Sequence, residues 1–298
     1  MKAVSKHKDG RNGRFKIKKR LNNRSRLADA VIFIFLGLGA MFMALPLVFS
    51  ITLSLKPLDE LWTFPPTLFV KNPTFKNFSD LFTIMSNSLV PFSKYIFNTV
   101  FITGVGTVLH VIIASMCAFG FAKFNFKARN FLFNVVVTSL MFSASVTSIP
   151  NFMIMRYLGL IDTYWAIIIP AVGSTLGLYL MKQFMEQIPD AILEAARVEG
   201  ATEVQLFLRI VMPIVKPAWL TLIVFSIQSL WNIGGSIFIY REELKPLGYA
   251  LSQIASAGIA RAGVGAAVIV IMMIVPITAF LITQSGIIET MSSSGLKE

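Results

Sequence analysis

Six stretches without a charged side chain dominate the chain: Ala30–Leu55, Tyr95–Ala122, Asn130–Met155, Thr163–Met181, Pro217–Tyr240 and Ala262–Ile288. As helix, each is long enough to cross a hydrocarbon core of ~30 Å, which takes roughly 17–25 residues. In lipid the backbone must satisfy its hydrogen bonds within its own segment or in a closed barrel. Barrel strands alternate polar and apolar residues, and these runs do not. The expectation is therefore an all-α membrane protein with six transmembrane helices. Composition agrees: 55% of the 298 residues are hydrophobic and 14% charged, too little charge to cover a soluble domain of this size. His110, Cys117 and a few tyrosines are the only titratable side chains inside the runs.

The net charge of +12 is concentrated at one end. Residues 1–27 hold 11 of the 27 Lys and Arg and one acid, Asp9, and so contribute +10. A nucleic-acid-binding arm is one reading of such a tail. An apolar run follows at once, which favours a cytoplasmic anchor. An even number of spans then returns the C-terminus to the same side. In that orientation the inner segments hold 19 of the 27 basic residues. Without the tail the loops balance at eight against eight, so the tail decides the orientation. The basic region and the apolar run are both too long for a cleaved signal peptide. The expected organisation is a basic tail at 1–27, a six-helix domain at 28–288 and a C-terminal tail at 289–298. A single cysteine excludes an internal disulfide. No HExxH, GxSxG or intramembrane carboxylate pair is present, so no catalytic or metal site is expected.

Between the runs, Pro65–Pro66 and Pro73 interrupt helix, and a short surface helix is expected over 80–93. Residues 241–261 are apolar and rich in small side chains, and read as a piece that caps a cavity or dips into the membrane. Gly173 and Gly177 form a GxxxG pattern, which fits close helix packing or a moving seam.

Residues 190–213 differ from everything around them. Pro189 and Asp190 suit a helix start. Ala191, Ala195 and Val198 share one helix face, and Glu194 and Arg197 another. Gly200 suits a helix end, and Thr202-Glu203-Val204-Gln205 has the form of a capping box that starts a second helix. Val204, Phe207 or Leu208, and Val211 would give that helix an apolar face, with Pro213 closing it and Pro217 opening the next run. Over residues 186–203, Glu186, Asp190, Glu194, Glu199 and Glu203 stand against Arg197 alone. A helix lying on anionic headgroups carries the opposite charge. A protein-docking knuckle fits better than a lipid-lying connector, and both readings stay open on physical grounds.

Glu194-Ala195-Ala196, three residues, Gly200, nine residues, Ile210, one residue, Met212-Pro213 resembles the EAA pattern of the permease subunits of ATP-binding-cassette importers. Met212 stands where that family usually has Leu, and Glu199 where it often has Asp. "SLKPLDELWTFPP", "YLGLIDTYWAIIIP", "LWN" at Leu230–Asn232 and "QSGIIETMSSSGLKE" are similar to the carbohydrate permeases of the maltose type. The resemblance implies the transmembrane fold of a type I ABC importer in a bacterial cytoplasmic membrane, with both termini cytoplasmic. It implies half of a translocation pathway for a carbohydrate, an oligosaccharide in the narrower form. Expected partners are a second permease subunit, two ABC ATPase subunits, an extracellular solute-binding protein and membrane lipids, and no nucleic acid. The chain has no GxxxxGK[ST] motif and no Gly-Lys pair, so ATP and Mg2+ belong to the ATPases and no cofactor is expected here. By resemblance, Glu194, Ala195, Ala196, Gly200, Ala201, Phe207, Ile210 and Pro213 couple to the ATPase; the last seven residues read either as a disordered end or, as in some members of that family, as a tail that enters the ATPase dimer. Gln228, Trp231, Asn232, Tyr240 and Asn98 are candidates for the substrate pathway; Trp231 is alternatively a packing residue and Tyr240 an interface anchor, and Asn98 and His110 either face the pore or are satisfied between helices. A non-sugar solute is the alternative cargo. An ion-coupled secondary transporter would have His110 alone to work with.

Overall fold

The computed structural model describes residues 26–294 except 62, 64, 66, 87–89, 235–236 and 257–260. The basic tail through residue 25 and residues 295–298 lie outside that range. The chain forms two units, residues 1–47 and 48–298. Among the described residues it is helical throughout, with no strand.

α1 (Arg26–Ser54) is unbroken, with residues 26–47 in the first unit and 48–54 in the second. Val31, Phe33, Phe35, Leu38, Met41 and Met43 are all exposed, so the helix is apolar on every side. Such a surface suits hydrocarbon.

In the second unit, α2 (Leu58–Leu61) and α3 (Lys76–Ser86) precede α4 (Phe92–Lys123), a 32-residue helix without proline. There follow α5 (Arg129–Ser139), α6 (Ala144–Tyr157), α7 (Trp165–Val172) and α8 (Thr175–Glu186). α9 (Asp190–Val198) leads to a rod made of α10 (Glu203–Gln205), a π-helical segment (Leu206–Val211) and α11 (Met212–Ile214). Last come α12 (Lys216–Trp231), a 3-10 turn (Glu242–Leu244), α13 (Leu247–Ala255) and α14 (Ala262–Ser294).

α4 is the axis. Its Lys123 end buries Ala114, Ala118 and Phe119 with Met181, Met185, Leu193, Leu206 and Val211. Its middle buries Ile102 with Ile167, Ile168 and Leu230. Beside its Phe92 end, Leu81 and Met85 of α3 pack with Leu251 and Ile254 of α13 and Val264, Ala267 and Val268 of α14. The surface helix expected at 80–93 thus lies earlier, at 76–86. Within the apolar piece at 241–261, α13 packs against α3 and α14.

The expected six continuous spans are not all present as single helices. Among the described residues four helical stretches are long and apolar enough to cross a membrane, and five if the rod and α12, bent by 79°, count as one. The third run is split. The backbone N–H groups of Leu140, Met141 and Phe142 each donate three residues back, and Ser143 then turns extended (φ −71°, ψ 152°). Thr138, Ser139, Ser143, Ser145, Thr147 and Ser148 crowd this stretch. Hydroxyls bonding to nearby carbonyls, as Ser139 does to Val136, compete with the helix ladder. The fifth run leaves helix at Asn232, whose side chain donates to the Gln228 carbonyl.

The loop before α7 is clamped to the loop after α12 through Asp162, a non-glycine residue at φ +66°. One carboxylate oxygen accepts from the backbone N–H of Tyr240 and of Arg241, both 2.9 Å, and the other from Arg241 Nε at 3.0 Å. The Arg241 backbone N–H, followed by that of Tyr240 and the Arg241 guanidinium, holds the carboxyl below the ordinary carboxylate range. A carboxyl depressed on folding stabilises the fold above its unfolded pKa of about 3.9, and the gain is lost as pH falls through the folded value. The Tyr240 and Arg241 amides should therefore stay protected from hydrogen exchange at pH 7 and pH 5 and lose protection only in stronger acid. In Asp162→Ala both should exchange about tenfold faster at neutral pH.

Candidate functional site

The knuckle at the Lys123 end of α4 is built from local chemistry and one buried anchor. Pro189 (φ −60°, ψ 133°) directs the chain into α9. Lys123 Nζ pairs with Asp190 Oδ1 at 2.8 Å and also donates to the Ile188 carbonyl, tying the start of α9 to α4. The hydrogen bond from Lys123, and then its charge, lowers the Asp190 pKa. Leu193, 1% exposed, is the one residue of α9 buried in the core.

Gly200 has φ +88°. Its N–H donates to the Arg197 carbonyl and the Ala201 N–H to the Ala196 carbonyl, both 3.0 Å, which is a Schellman closure of α9. Nothing lies within 4 Å of where a β-carbon would sit, so backbone conformation alone asks for glycine here. The second helix starts two residues later. Thr202 Oγ1 accepts from the Gln205 N–H at 3.3 Å, and Gln205 Oε1 accepts from the Thr202 N–H at 2.9 Å, the reciprocal box read from sequence. Arg197 spans the corner with two bonds to Glu203, Nε to Oε1 at 2.8 Å and one terminal nitrogen to Oε2 at 3.3 Å.

The second helix departs from expectation in two ways. Its π-helical stretch brings residues five apart onto one side, so Leu206 and Val211 are fully buried while Val204 and Leu208 are exposed. Pro213 does not end it. The Met212 N–H donates to the Phe207 carbonyl, and this widened turn accommodates a residue with no N–H. The rod runs on to Ile214, and the bend comes at Val215 (φ −88°, ψ 22°).

The outward surface of the knuckle is apolar and acidic. Ile192, Val198 (89% exposed), Val204 and Leu208 are exposed, as are Ala191, Glu194, Ala195 and Glu199. Ala196, Ala201, Phe207 and Ile210 are partly buried and pack against the core beneath. Among the described residues, Asp190 and Glu203 are paired within the chain, while Glu194 and Glu199 form no ion pair.

Residues 110–291, which include the whole knuckle, match the model of the binding-protein-dependent transport system inner membrane component family. The chain belongs to that family. The permease is similar to the polygalacturonan/rhamnogalacturonan transport system permease protein YtcP of Bacillus subtilis, 29% identical over 220 residues and 74% of each chain. It is also similar to the arabinooligosaccharides transport system permease protein AraQ of Bacillus subtilis, 30% identical over 233 residues, 78% of this chain and 81% of that one. Its fold matches that in a crystal structure of a bacterial ABC transporter involved in the import of the acidic polysaccharide alginate. There the TM-score is 0.73 at 24% identity, covering 88% of this chain and 98% of that one. The chain is thus a multi-pass permease subunit of the bacterial inner membrane and part of an ABC importer that works with a binding protein.

The five pathway candidates do not converge in the permease. Asn98 is fully buried at the Phe92 end of α4. Its amide donates to the Glu243 and Lys245 carbonyls (2.8 and 2.9 Å) and accepts from the Tyr164 hydroxyl at 2.7 Å, stapling three segments. Trp231 is buried, and its indole N–H donates to the Met272 carbonyl of α14 at 3.1 Å. Gln228 and Asn232 are exposed and joined to each other, and Tyr240 is 62% exposed on the clamped loop. His110 packs between helices, beside a cavity of about 160 Å³ that Ser174, Ser226 and Ser229 also line. Sequence reasoning passed over these serines, although Ser226 and Ser229 stand three apart on one helix. Of the GxxxG pair, Gly177 is buried in the packing and Gly173 is exposed.

Proposed function

We propose that this permease forms half of the translocation pathway for a carbohydrate, with an oligosaccharide as the cargo, and that its knuckle is the handle by which ATPase subunits drive it. The observation that carries the coupling role is the outward face of residues 190–213. A corner fixed by Gly200 presents exposed alanines, aliphatics and two unpaired carboxylates, which suits a protein groove with a basic rim. Glu194 then meets a basic residue of the ATPase, Ala195 permits close approach, Ala196, Ala201, Phe207 and Ile210 hold the handle to the bundle, and Pro213 fixes the exit geometry. The sugar assignment is supported by the cargo named for YtcP and AraQ. The proposed assembly adds a second permease, two ATPases that hold ATP and Mg2+, and an extracellular solute-binding protein. Six crossings complete the topology, with α5 and α6 as one interrupted crossing, the tail at 1–27 and the last residues both cytoplasmic.

The test is uptake. The permease, reconstituted in liposomes with its partner permease, ATPases and binding protein, should accumulate at least one labelled oligosaccharide from a panel of neutral and acidic sugars. Uptake should need ATP and the binding protein, and permease alone should transport nothing. Import of an amino acid or an ion with no sugar uptake would replace the cargo assignment. Uptake by permease alone would remove the ATPase from the scheme.

A further inference from the structure

Three polar groups on α4 are buried without a hydrogen-bond partner among the described residues: the Thr103 and Thr107 hydroxyls and His110 Nε2. At i, i+4 and i+7 they share one helix face. Other helical hydroxyls in this chain turn back to the carbonyl four residues earlier, as Thr99 does to Tyr95, Thr221 to Pro217 and Thr283 to Ala279. Thr103 and Thr107 do not.

His110 is 5% exposed, with Nδ1 2.8 Å from Ser226 Oγ of α12. Nε2 faces Gly177 of α8 and has no hydrogen-bond partner among the described residues. A β-carbon on Gly177 would lie 2.4 Å from Nε2, so the absence of a side chain there is what admits the ring. The adjoining cavity has room for several water molecules. A buried polar group left unsatisfied costs about 1–3 kcal/mol, so three of them on one helix face call for a partner.

Their chemistry narrows the ligand. Serines are the only polar residues lining the cavity with His110, and no Asp, Glu, Lys or Arg is among them. A metal ion or a coupled cation would call for carboxylates. Imidazole and hydroxyl groups both donate and accept, and so does the group that fits them, an uncharged hydroxyl.

We propose that Thr103, Thr107, His110, Ser226 and Ser229 form a track on α4 and α12 that binds hydroxyl groups of the solute in transit. The solute half of this proposal rests on the carbohydrate reading above; the existence of an opening track does not. Water and sugar offer the same chemistry, and the experiment separates them.

In the complete reconstituted complex carrying Cys117→Ser, Thr107→Cys and Ser229→Cys should each react with a small water-soluble methanethiosulfonate at least tenfold faster in one of two states, nucleotide-free or vanadate-trapped. Ala114→Cys, buried in the apolar core, should stay inert in both. The oligosaccharide taken up by the wild-type complex should slow the Ser229→Cys reaction about fivefold. Inert Thr107→Cys and Ser229→Cys in complexes that still hydrolyse ATP would overturn the track. Reaction unaffected by the sugar would leave a water-filled seam and overturn solute binding. Vesicles that import no sugar would remove the carbohydrate reading and the solute half with it, while the thiol rates still decide whether the track opens.

Discussion

Replacing Gly200 with valine should abolish coupled transport while leaving the permease folded and inserted. The substitution meets no steric obstacle, since the space around a β-carbon is open. Its effect is on the backbone. At φ +88° a β-branched residue is strained by roughly 1–3 kcal/mol, and the chain can relieve that only by opening the Schellman closure between Ala201 and Ala196. Opening it swings α9 away from the rod and breaks the reach of Arg197 to Glu203. The expected result is an uptake rate at least tenfold lower, with binding-protein-stimulated ATP hydrolysis reduced or no longer tied to uptake. A graded series separates strain from bulk. Gly200→Asn should retain most activity because asparagine tolerates positive φ, Gly200→Ala should be intermediate and Gly200→Val worst. If Val behaves like Asn, the corner does not carry the coupling.

Leu193→Ala should give the second large effect, by a different route. α9 has one fully buried residue in the core, so Leu193 is that helix's main apolar anchor. Truncating it leaves a cavity beside Leu206 and Val211 and costs about 2–5 kcal/mol. Most of that loss should appear as a loosened knuckle, because α4, α8 and α12 keep the rest of the core. Subunits should still assemble, and the ratio of sugar moved to ATP hydrolysed should fall several-fold. Leu193→Met, which keeps the volume, should stay within about twofold of the parent. Limited proteolysis between residues 190 and 205 offers an independent readout, with faster cleavage expected in the alanine variant only.

What could be read from sequence divides along the range of the forces involved. The corner at Gly200 and the box of Thr202 and Gln205 were legible because each depends on residues a few positions apart. The apolar runs were legible because lipid demands them. The break after Ser139 was less so: the serines and threonines that cause it are uncharged, and an absence of charge was the signal being followed. Of the apolar face expected at Val204, Phe207 or Leu208, and Val211, the π-helical turn keeps Val211 buried and Phe207 partly so, adds Leu206 and leaves Val204 exposed. For Asn98 the sequence leaves a pore-facing and a satisfied position both open, and the carbonyls that hold it lie about 145 residues away. Lys123 and Asp190 are likewise 67 apart. Contacts across such distances leave no local pattern, and only packing shows them.

The ties across Gly200 carry a mechanical consequence. The glycine closure, the capping box and the pair formed by Arg197 and Glu203 hold the same elbow from three sides. A joint fastened in this way has no slack, so a push on α9 is handed on with its angle intact. Whatever compliance the movement needs must lie further along, at Val215, where the rod meets α12 and the bend is spanned by a single side-chain bond, from the Trp219 indole to the Met212 carbonyl.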